Sequence, residues 1–422
     1  MLKHLRKSST LSYTATIFRG QILAQVFGLL ASIFLSTIYA PELFASLAVT
    51  LAAASILVPL LTGSLENAVI LELDQVKAEQ TMKAALMLVL FLVVVFAGLA
   101  VFSWGLGLDL KVATFRLNGL VVGVSGLNAA TLICQSVLIR LKQFTKVNHL
   151  IALPVFLNPL FASLLWLAGY RQQGLVLSLL LSCFLQLVYA GLLVSDALRR
   201  TCRIKPLLSI LKTHRSYPLF VSTAAALDAV TISLPILVGG LGQSPAIIGN
   251  YALMLKVLVL PLSLMAAALS KSYLSQASER RRDSPLGFFD HTVKLLSLST
   301  LIAAVYVLVV IGVAFPVARL FVVQQWEPCL TIFQILAPGI IVKFASSSLA
   351  SSLLAVNAKA YLVGWKLVAF VSTLATTSCF VQGSYQVFFG ALMVNDVVLY
   401  AVLFALILLK CKPLPASHPV QG

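Results

Sequence analysis

Residues 84–104 read AALMLVLFLVVVFAGLAVFSW, an apolar run without a single charged side chain. An α-helix rises about 1.5 Å per residue, so about 20 such residues cross the hydrocarbon core of a bilayer, which is roughly 30 Å thick. A run of this length and composition predicts a membrane-spanning helix.

Similar runs recur along the whole chain. Of its 422 residues, 60% are hydrophobic and 10% are charged, whereas a soluble domain carries about 25% charged residues. The segments lack the alternating pattern of about 10 residues that is typical of a transmembrane barrel. We therefore predict an all-α integral membrane protein with about twelve transmembrane helices. The predicted spans lie near residues 20–39, 44–61, 84–104, 117–139, 150–168, 174–194, 218–241, 247–269, 295–315, 333–354, 361–380 and 387–409.

The basic residues predict the orientation of these spans. With the N-terminus inside, all but six of the 30 basic residues fall on the cytoplasmic side, which is the bias expected of a multi-pass protein. We interpret the net charge of +17 as this topology signal and exclude nucleic acid as a partner. The first apolar run lacks a cleavage site of the signal-peptide kind, so we predict a retained first span and both termini in the cytoplasm. The six exceptions are Lys111, Arg116, Arg171 and Arg319 outside, and Lys256 and Lys343 within spans.

A basic connection divides the predicted spans into two sets of six. We expect an N-terminal six-helix bundle over 1–195, a cytoplasmic linker over 196–217 and a C-terminal six-helix bundle with a short tail over 218–422, packed around a central cavity. Ala40-Pro41 and Ser244-Pro245 each precede an even-numbered span, a weak internal echo of the kind found in transporters built from repeats.

The chain carries no recognisable catalytic or metal-binding motif. Its six cysteines are separated, without a CxxC pair or a histidine at ligand spacing. It has no GxxxxGK[ST] loop for ATP, and its predicted outer loops are short. We therefore expect neither an enzyme, a metal nor a cofactor, and no catalytic residue.

Four charged residues lie within predicted spans: Asp228, Lys256, Lys343 and Asp396. A charge at the bilayer centre costs at least about 2.5 kcal/mol, so each is a candidate functional residue. Asp228 either lines a cavity or pairs with Lys256 or Lys343. Lys256, near mid-span, could present a cation to an anionic headgroup, while Asp396 is a candidate for structural hydrogen bonding or for proton coupling.

Three further positions could gate the protein or simply shape it. Glu66 lies where the second span meets the cytoplasm, and its side chain is either solvated or functional. Pro235 and Pro261 lie inside spans, where helix kinks are the simplest interpretation.

A succession of short motifs runs along the chain: Gly20-Gln21-Ile22-Leu23-Ala24-Gln25, Ile38-Tyr39-Ala40-Pro41-Glu42-Leu43-Phe44, Leu65-Glu66-Asn67-Ala68-Val69-Ile70-Leu71, Tyr217-Pro218-Leu219, Leu234-Pro235-Ile236-Leu237, Ile248-Gly249-Asn250-Tyr251-Ala252-Leu253, Pro261-Leu262-Ser263-Leu264, Trp326 and Phe333-Gln334-Ile335-Leu336-Ala337-Pro338. This succession resembles bacterial polysaccharide flippases of the O-antigen type, members of the multidrug, oligosaccharidyl-lipid and polysaccharide exporter superfamily.

Several positions depart from that pattern. Ser64 and Lys256 each replace an arginine, Val322 replaces a glycine, Cys329-Leu330 replaces Ala-Gly, and Asp228 replaces an asparagine. The departure at Ser64 weakens a salt bridge at the end of span two, and the one at Asp228 adds a proton-sensitive group.

The resemblance implies a flippase that moves undecaprenyl-diphosphate-linked oligosaccharide repeat units across the bacterial cytoplasmic (inner) membrane for surface polysaccharide biosynthesis. It implies a lipid-linked oligosaccharide as substrate, membrane lipids as surroundings, and a polysaccharide polymerase and other assembly proteins as partners. On this reading Lys256, Lys343 and Arg19 attract the diphosphate, and Asp228 or Asp396 couples transport to protons. The alternative is a cation-coupled exporter of drugs or other small molecules from the same superfamily.

Overall fold

The described part of the chain is entirely helical in its regular structure. The computed structural model describes residues 24–72, 74–105, 119–199, 217–263, 265–266, 269, 285–315, 324–350, 352–356 and 358–411, and none of these lies in a strand. Eleven helices are long and apolar enough to cross a membrane, and a shorter apolar helix, Ala24–Ile38, precedes them. The predicted all-α multi-pass fold is confirmed.

The apolar helices follow the predicted order of spans. We number them α1 to α12 in chain order, with bounds Ala24–Ile38, Pro41–Thr62, Gln75–Gly105, Gly119–Arg140, Phe144–Leu167, Gly174–Leu193, Thr223–Leu237, Pro245–Met254, Pro285–Val309, Glu327–Ser348, Lys359–Phe380 and Tyr385–Cys411. Short helices Leu65–Leu71, Ser195–Arg199, Gly239–Gly242 and Ser352–Ala355 lie between them, and π-helical turns occupy Tyr217–Ser222, Leu255–Val259 and Val310–Ala314.

Proline fixes the start of two helices that the sequence singled out. Pro41 and Pro245 each stand at the first position of a helix, where a missing N–H is not needed and the fixed φ angle suits helical backbone. Ser244 also caps α8, since its hydroxyl accepts a hydrogen bond from the N–H of Ile247. The Ala40-Pro41 and Ser244-Pro245 echo thus marks the starts of α2 and α8, as predicted.

The chain divides into two compact units, residues 1–241 and 242–422. In the first unit α2 packs against α4 and α7, and α4 also packs against α3 and α6. Two hydrogen bonds join α2 to the segment around α7: Ser222 Oγ donates to Pro59 O over 2.6 Å, and the hydroxyls of Ser55 and Ser233 lie 3.3 Å apart. α7 therefore packs within the first unit, and the bundles expected over 1–195 and 218–422 stay a prediction.

The second unit is built on α10, which packs against α8, α9 and α12. Asn250 of α8 is buried and spans the start of α10, where its Oδ1 accepts from Cys329 N over 3.0 Å and its Nδ2 donates to Gln325 O over 3.1 Å. At the end of α11, Gln243 Nε2 donates to Val381 O over 2.8 Å. These side chains therefore form hydrogen bonds with backbone groups that have no partner within their own helix end.

We expect Asn250→Ala to lower the apparent Tm of the purified protein in detergent by several degrees. The substitution strands a buried N–H and a buried carbonyl, and each such loss costs about 1–3 kcal/mol. Gln172→Ala, at an exposed turn, is the control and should leave the Tm unchanged. Equal Tm values for the two variants would contradict this account of the cap.

Candidate functional site

The central feature of the second unit is an ion pair between α10 and α12. Lys343 Nζ lies 3.5 Å from Asp396 Oδ2 and donates a hydrogen bond to it. The side chains are 45% and 27% exposed, so the pair borders open space and is not sealed in packing. The sequence analysis predicted a functional role for each residue separately, but it did not predict their contact.

An aromatic ring completes this cluster. Lys343 Nζ lies 5.2 Å from the centre of the Tyr400 ring, within the range of a cation–π contact. Tyr400 follows Asp396 by one helical turn, so both face the lysine from α12. The ring of Trp365 on α11 meets Tyr400 edge to face, with centroids 5.2 Å apart. We call Lys343, Asp396 and Tyr400 the α10–α12 charge cluster.

A glycine allows the two helices to approach closely enough for the pair. A Cβ atom placed on Gly339 would lie 3.3 Å from Asp396 Cβ and 3.6 Å from Met393 O. Gly339 precedes Lys343 by one turn, so the close approach and the pair are on the same face of α10. Small residues serve this purpose at helix interfaces in membranes.

Asn395, next to Asp396, has the hydrogen-bonding role that we had considered for the aspartate. Asn395 Oδ1 accepts from Ser372 Oγ, and its Nδ2 donates to Thr373 Oγ1 over 3.2 Å, both on α11. The amide thus ties α12 to α11, which leaves the neighbouring carboxylate directed toward α10. Two adjacent polar residues in a span were the sequence signal for this division of roles.

Lys256 lies in the π-helical turn that continues α8. Leu260 N donates to Leu255 O, five residues earlier, which widens the helix directly before Pro261. The proline ring would clash with the carbonyl of Val257 in a regular α-helix, and the wide turn relieves this conflict. Lys256 is half-buried and makes no hydrogen bond or ion pair with any residue in the described ranges. The predicted kink at Pro261 is therefore a local π turn that carries the lysine.

The remaining candidates lie elsewhere. Asp228 is half-buried on α7 and belongs to the N-terminal unit, so its pairing with a lysine of the second unit stays a prediction. Pro235 is a buried residue inside α7, near the end of that helix. Arg19 lies outside the described residues.

Glu66 lies beside a sharp break after α2. Gly63 and Ser64 are both left-handed, with φ of 56° and 53°, and the chain then enters the short helix Leu65–Leu71. Ser64 is buried, so a larger side chain at this position would have to displace its neighbours. Glu66 Oε2 is also buried, without a hydrogen-bond partner among the described residues. The side chain is therefore more than a solvated helix end.

Burial raises the pKa of Glu66, and hydrogen bonds from its own backbone and from Thr62 lower it in part. A raised carboxyl pKa in the folded state means that stability falls as the pH rises from about 4.5 through the folded pKa. We therefore expect Glu66→Gln to raise the apparent Tm at pH 7 and to lose this advantage near pH 4. Glu42→Gln, at an exposed position, should behave like the wild type at both values. A Tm gain for Glu66→Gln that is independent of pH would contradict the assignment.

Comparison with other proteins identifies the architecture. Searches against protein-family models and curated protein sequences found no match. Among solved structures, the lipid II flippase MurJ in an inward closed conformation aligns with a TM-score of 0.66 over 93% of this chain and 87% of that one, at 12% identity. An inward-facing multidrug resistance MATE family transporter aligns with a TM-score of 0.64 over 92% and 94%, at 14% identity. The chain shares the fold of these two transporters.

A third structure supports the same assignment of fold. A MOP superfamily transporter from Pyrococcus furiosus aligns with a TM-score of 0.57 over 94% of this chain and 93% of that one, at 14% identity. The alignments cover most of both chains, so the likeness of fold is not confined to one unit. The chain is a multi-pass membrane protein with the fold that the sequence resemblance implied.

The charge cluster makes a specific prediction about stability. Asp396→Asn leaves the Lys343 cation without its counter-charge, whereas Asp396→Asn combined with Lys343→Met removes both charges. Removing one partner of an ion pair leaves an uncompensated charge and costs more stability than removing both partners. The double variant should therefore have a higher apparent Tm than the Asp396→Asn variant. Adding Lys77→Met, at an exposed position, to Asp396→Asn should give no such recovery. Additive losses for Lys343 and Asp396 would show that the two side chains do not interact.

Proposed function

We propose that this protein is a flippase that moves lipid-diphosphate-linked oligosaccharides across the bacterial cytoplasmic membrane for surface polysaccharide assembly. The observation that carries the proposal is the presence of two lysines, Lys256 and Lys343, on apolar helices of one unit. Lysine inside a span is costly and suits an anionic group that has to leave water. The likeness of fold to the lipid II flippase MurJ supports the same proposal.

Lys343 is suited to receive a diphosphate by exchange. When no substrate is bound, Asp396 neutralises the lysine and the Tyr400 ring supports it, so the cation is held in place at low cost. An incoming diphosphate offers several oxygen acceptors and a higher charge than one carboxylate, and it displaces Asp396. The partial exposure of both side chains gives the headgroup access to the pair.

Exchange also gives Asp396 a role in coupling. The carboxylate leaves the lysine when the substrate binds, and release of the substrate restores the pair. Asp228 remains a second candidate for coupling, on the N-terminal unit. Lys256 would contact the same headgroup from the π turn, with Arg19 as a further candidate cation, and Glu66, Pro235 and Pro261 shape or gate the path.

Export of small organic molecules is the second candidate function. The alignment with a multidrug resistance MATE family transporter favours it, because that fold likeness is as extensive as the one to the flippase. A cation-coupled exporter would require the acidic side chain of Asp396 more than the lysines, because a carboxylate can bind the coupling cation. The two functions therefore differ in which member of the charge cluster is essential.

The test is deletion of the gene in its native host, followed by complementation. We expect loss of surface polysaccharide and accumulation of lipid-linked repeat units on the cytoplasmic face, with restoration by the wild type and by Lys256→Arg. Lys256→Ala should restore less than a tenth of the polymer, because the cation is lost from the headgroup site. Lys77→Ala is the matched control and should restore polymer fully. Protein amounts in the membrane are measured for every variant.

Two outcomes would overturn the proposal. Normal polysaccharide in the deletion strain together with new drug sensitivity would assign the protein to small-molecule export. Full complementation by Lys256→Ala at a normal protein level would remove the lysine from the headgroup site. For coupling, Asp228→Asn and Asp396→Asn are compared for the pH response of transport, and an unchanged response in both would exclude proton coupling through either residue.

A further inference from the structure

An apolar groove runs along the outer face of the second unit, between α11 and α12. It has a volume of about 350 Å³ and is lined by Ala360, Tyr361, Gly364, Trp365, Val368, Val402 and Leu406. Val402, Leu406 and Lys410 are spaced by four residues, so they lie in a row on one face of α12. On α11 the row from Tyr361 to Val368 spans about 10 Å along the helix axis.

A lysine stands at one end of this groove. Lys410 Nζ lies 3.8 Å from the centre of the Tyr361 ring, so the cation–π contact holds the ammonium group where the groove begins. The other end, at Val368 and Val402, is exclusively aliphatic. The groove is therefore polar and cationic at its mouth and apolar along its length.

The groove walls face outward, where a membrane protein meets lipid. Tyr361, Val368 and Val402 are about half exposed, and a Cβ atom on Gly364 would meet nothing within 4 Å. Gly364 therefore leaves open space in the wall of the groove. The indole N–H of Trp365 donates to Leu399 O over 2.9 Å, which fixes this ring as part of the wall.

The size and polarity of the groove identify one class of occupant. A cavity of about 150 Å³ holds one benzene molecule, so this groove holds on the order of a dozen carbon atoms. That is most of one acyl chain, whereas a helix about 10 Å across is too wide to enter. The ammonium of Lys410 complements a phosphate at the head of such a chain.

We propose that this groove binds a membrane phospholipid with an anionic headgroup, one acyl chain lying against Trp365 and the phosphate on Lys410. Lys410 is predicted to lie on the cytoplasmic side, where anionic lipids attract juxtamembrane lysines. Tyr361 and Trp365 are of the residue types that concentrate at the membrane interface. The groove adjoins the charge cluster through the contact of Trp365 with Tyr400, but the proposal does not depend on the transported substrate.

The test uses the fluorescence of Trp365. Full-length protein is reconstituted in vesicles of a zwitterionic phospholipid that contain a minor fraction of dibrominated phospholipid, either phosphatidylglycerol or phosphatidylcholine. Bromine quenches a tryptophan only at contact distance, and the Trp365→Phe variant gives the part of the signal that belongs to this residue. We expect stronger quenching by the anionic lipid, with an apparent preference of about fivefold, which is the contribution of one lysine near the surface.

Three variants distinguish the parts of the site. Lys410→Ala should abolish the preference for phosphatidylglycerol, Lys410→Arg should keep it, and Lys77→Ala should leave it unchanged. Gly364→Leu places a side chain in the groove and should reduce quenching by both lipids, while the protein folds, because the added Cβ atom meets nothing within 4 Å. Equal quenching by the two lipids in the wild type, or a preference that survives Lys410→Ala, would overturn the proposal. Absence of quenching by either lipid would mean that another chain covers the groove, which would also overturn it.

Discussion

In hydrocarbon every backbone N–H and C=O group must find its partner within the protein, and this constraint explains most of the polar contacts seen between helices. Helix interiors satisfy it automatically, but helix ends do not. Here the backbone groups at helix ends form hydrogen bonds with side chains of neighbouring helices and connecting segments. Asn250 binds backbone groups at the start of α10, Gln243 donates to a carbonyl at the end of α11, and Ser222 donates to a carbonyl near the end of α2. The same few polar residues therefore satisfy the backbone and fix which helices are neighbours.

Charged side chains obey the same constraint more strictly, and the second unit shows how. Lys343 is tolerated on α10 because Asp396 and Tyr400 approach it from α12, and that approach requires a glycine at position 339. Asn395 meanwhile binds α11, which holds α12 in the rotation that directs Asp396 toward α10. The Trp365 ring touches Tyr400 and also lines the lipid-facing groove. A single layer of side chains thus extends from the ion pair to the outer surface of the unit.

The sequence allowed prediction of the helices but not of their partners. Apolar run length located every described span, and proline at the first helical position located the starts of α2 and α8. The Lys343–Asp396 contact could not be predicted, because the residues are 53 positions apart and the pairing depends on the rotation of each helix. The contact of α7 with α2 could not be predicted either, since hydroxyl contacts such as Ser55 with Ser233 carry no sequence signature. The π turn at Lys256 follows from Pro261, although a proline alone does not specify a kink or a wide turn.

The two lysines of the second unit differ in a way that bears on mechanism. Lys343 is already compensated, so a ligand that binds it must replace Asp396, and the gain in energy is the difference between two ion pairs. Lys256 has no counter-charge among the described residues, so an anion bound there gains the whole interaction. A substrate that contacts both lysines would be held mainly by Lys256 and would alter the α10–α12 contact mainly through Lys343. Binding of one anionic headgroup would then also weaken the contact between α10 and α12. The headgroup would thus have different affinities for two conformations, which a transport cycle requires.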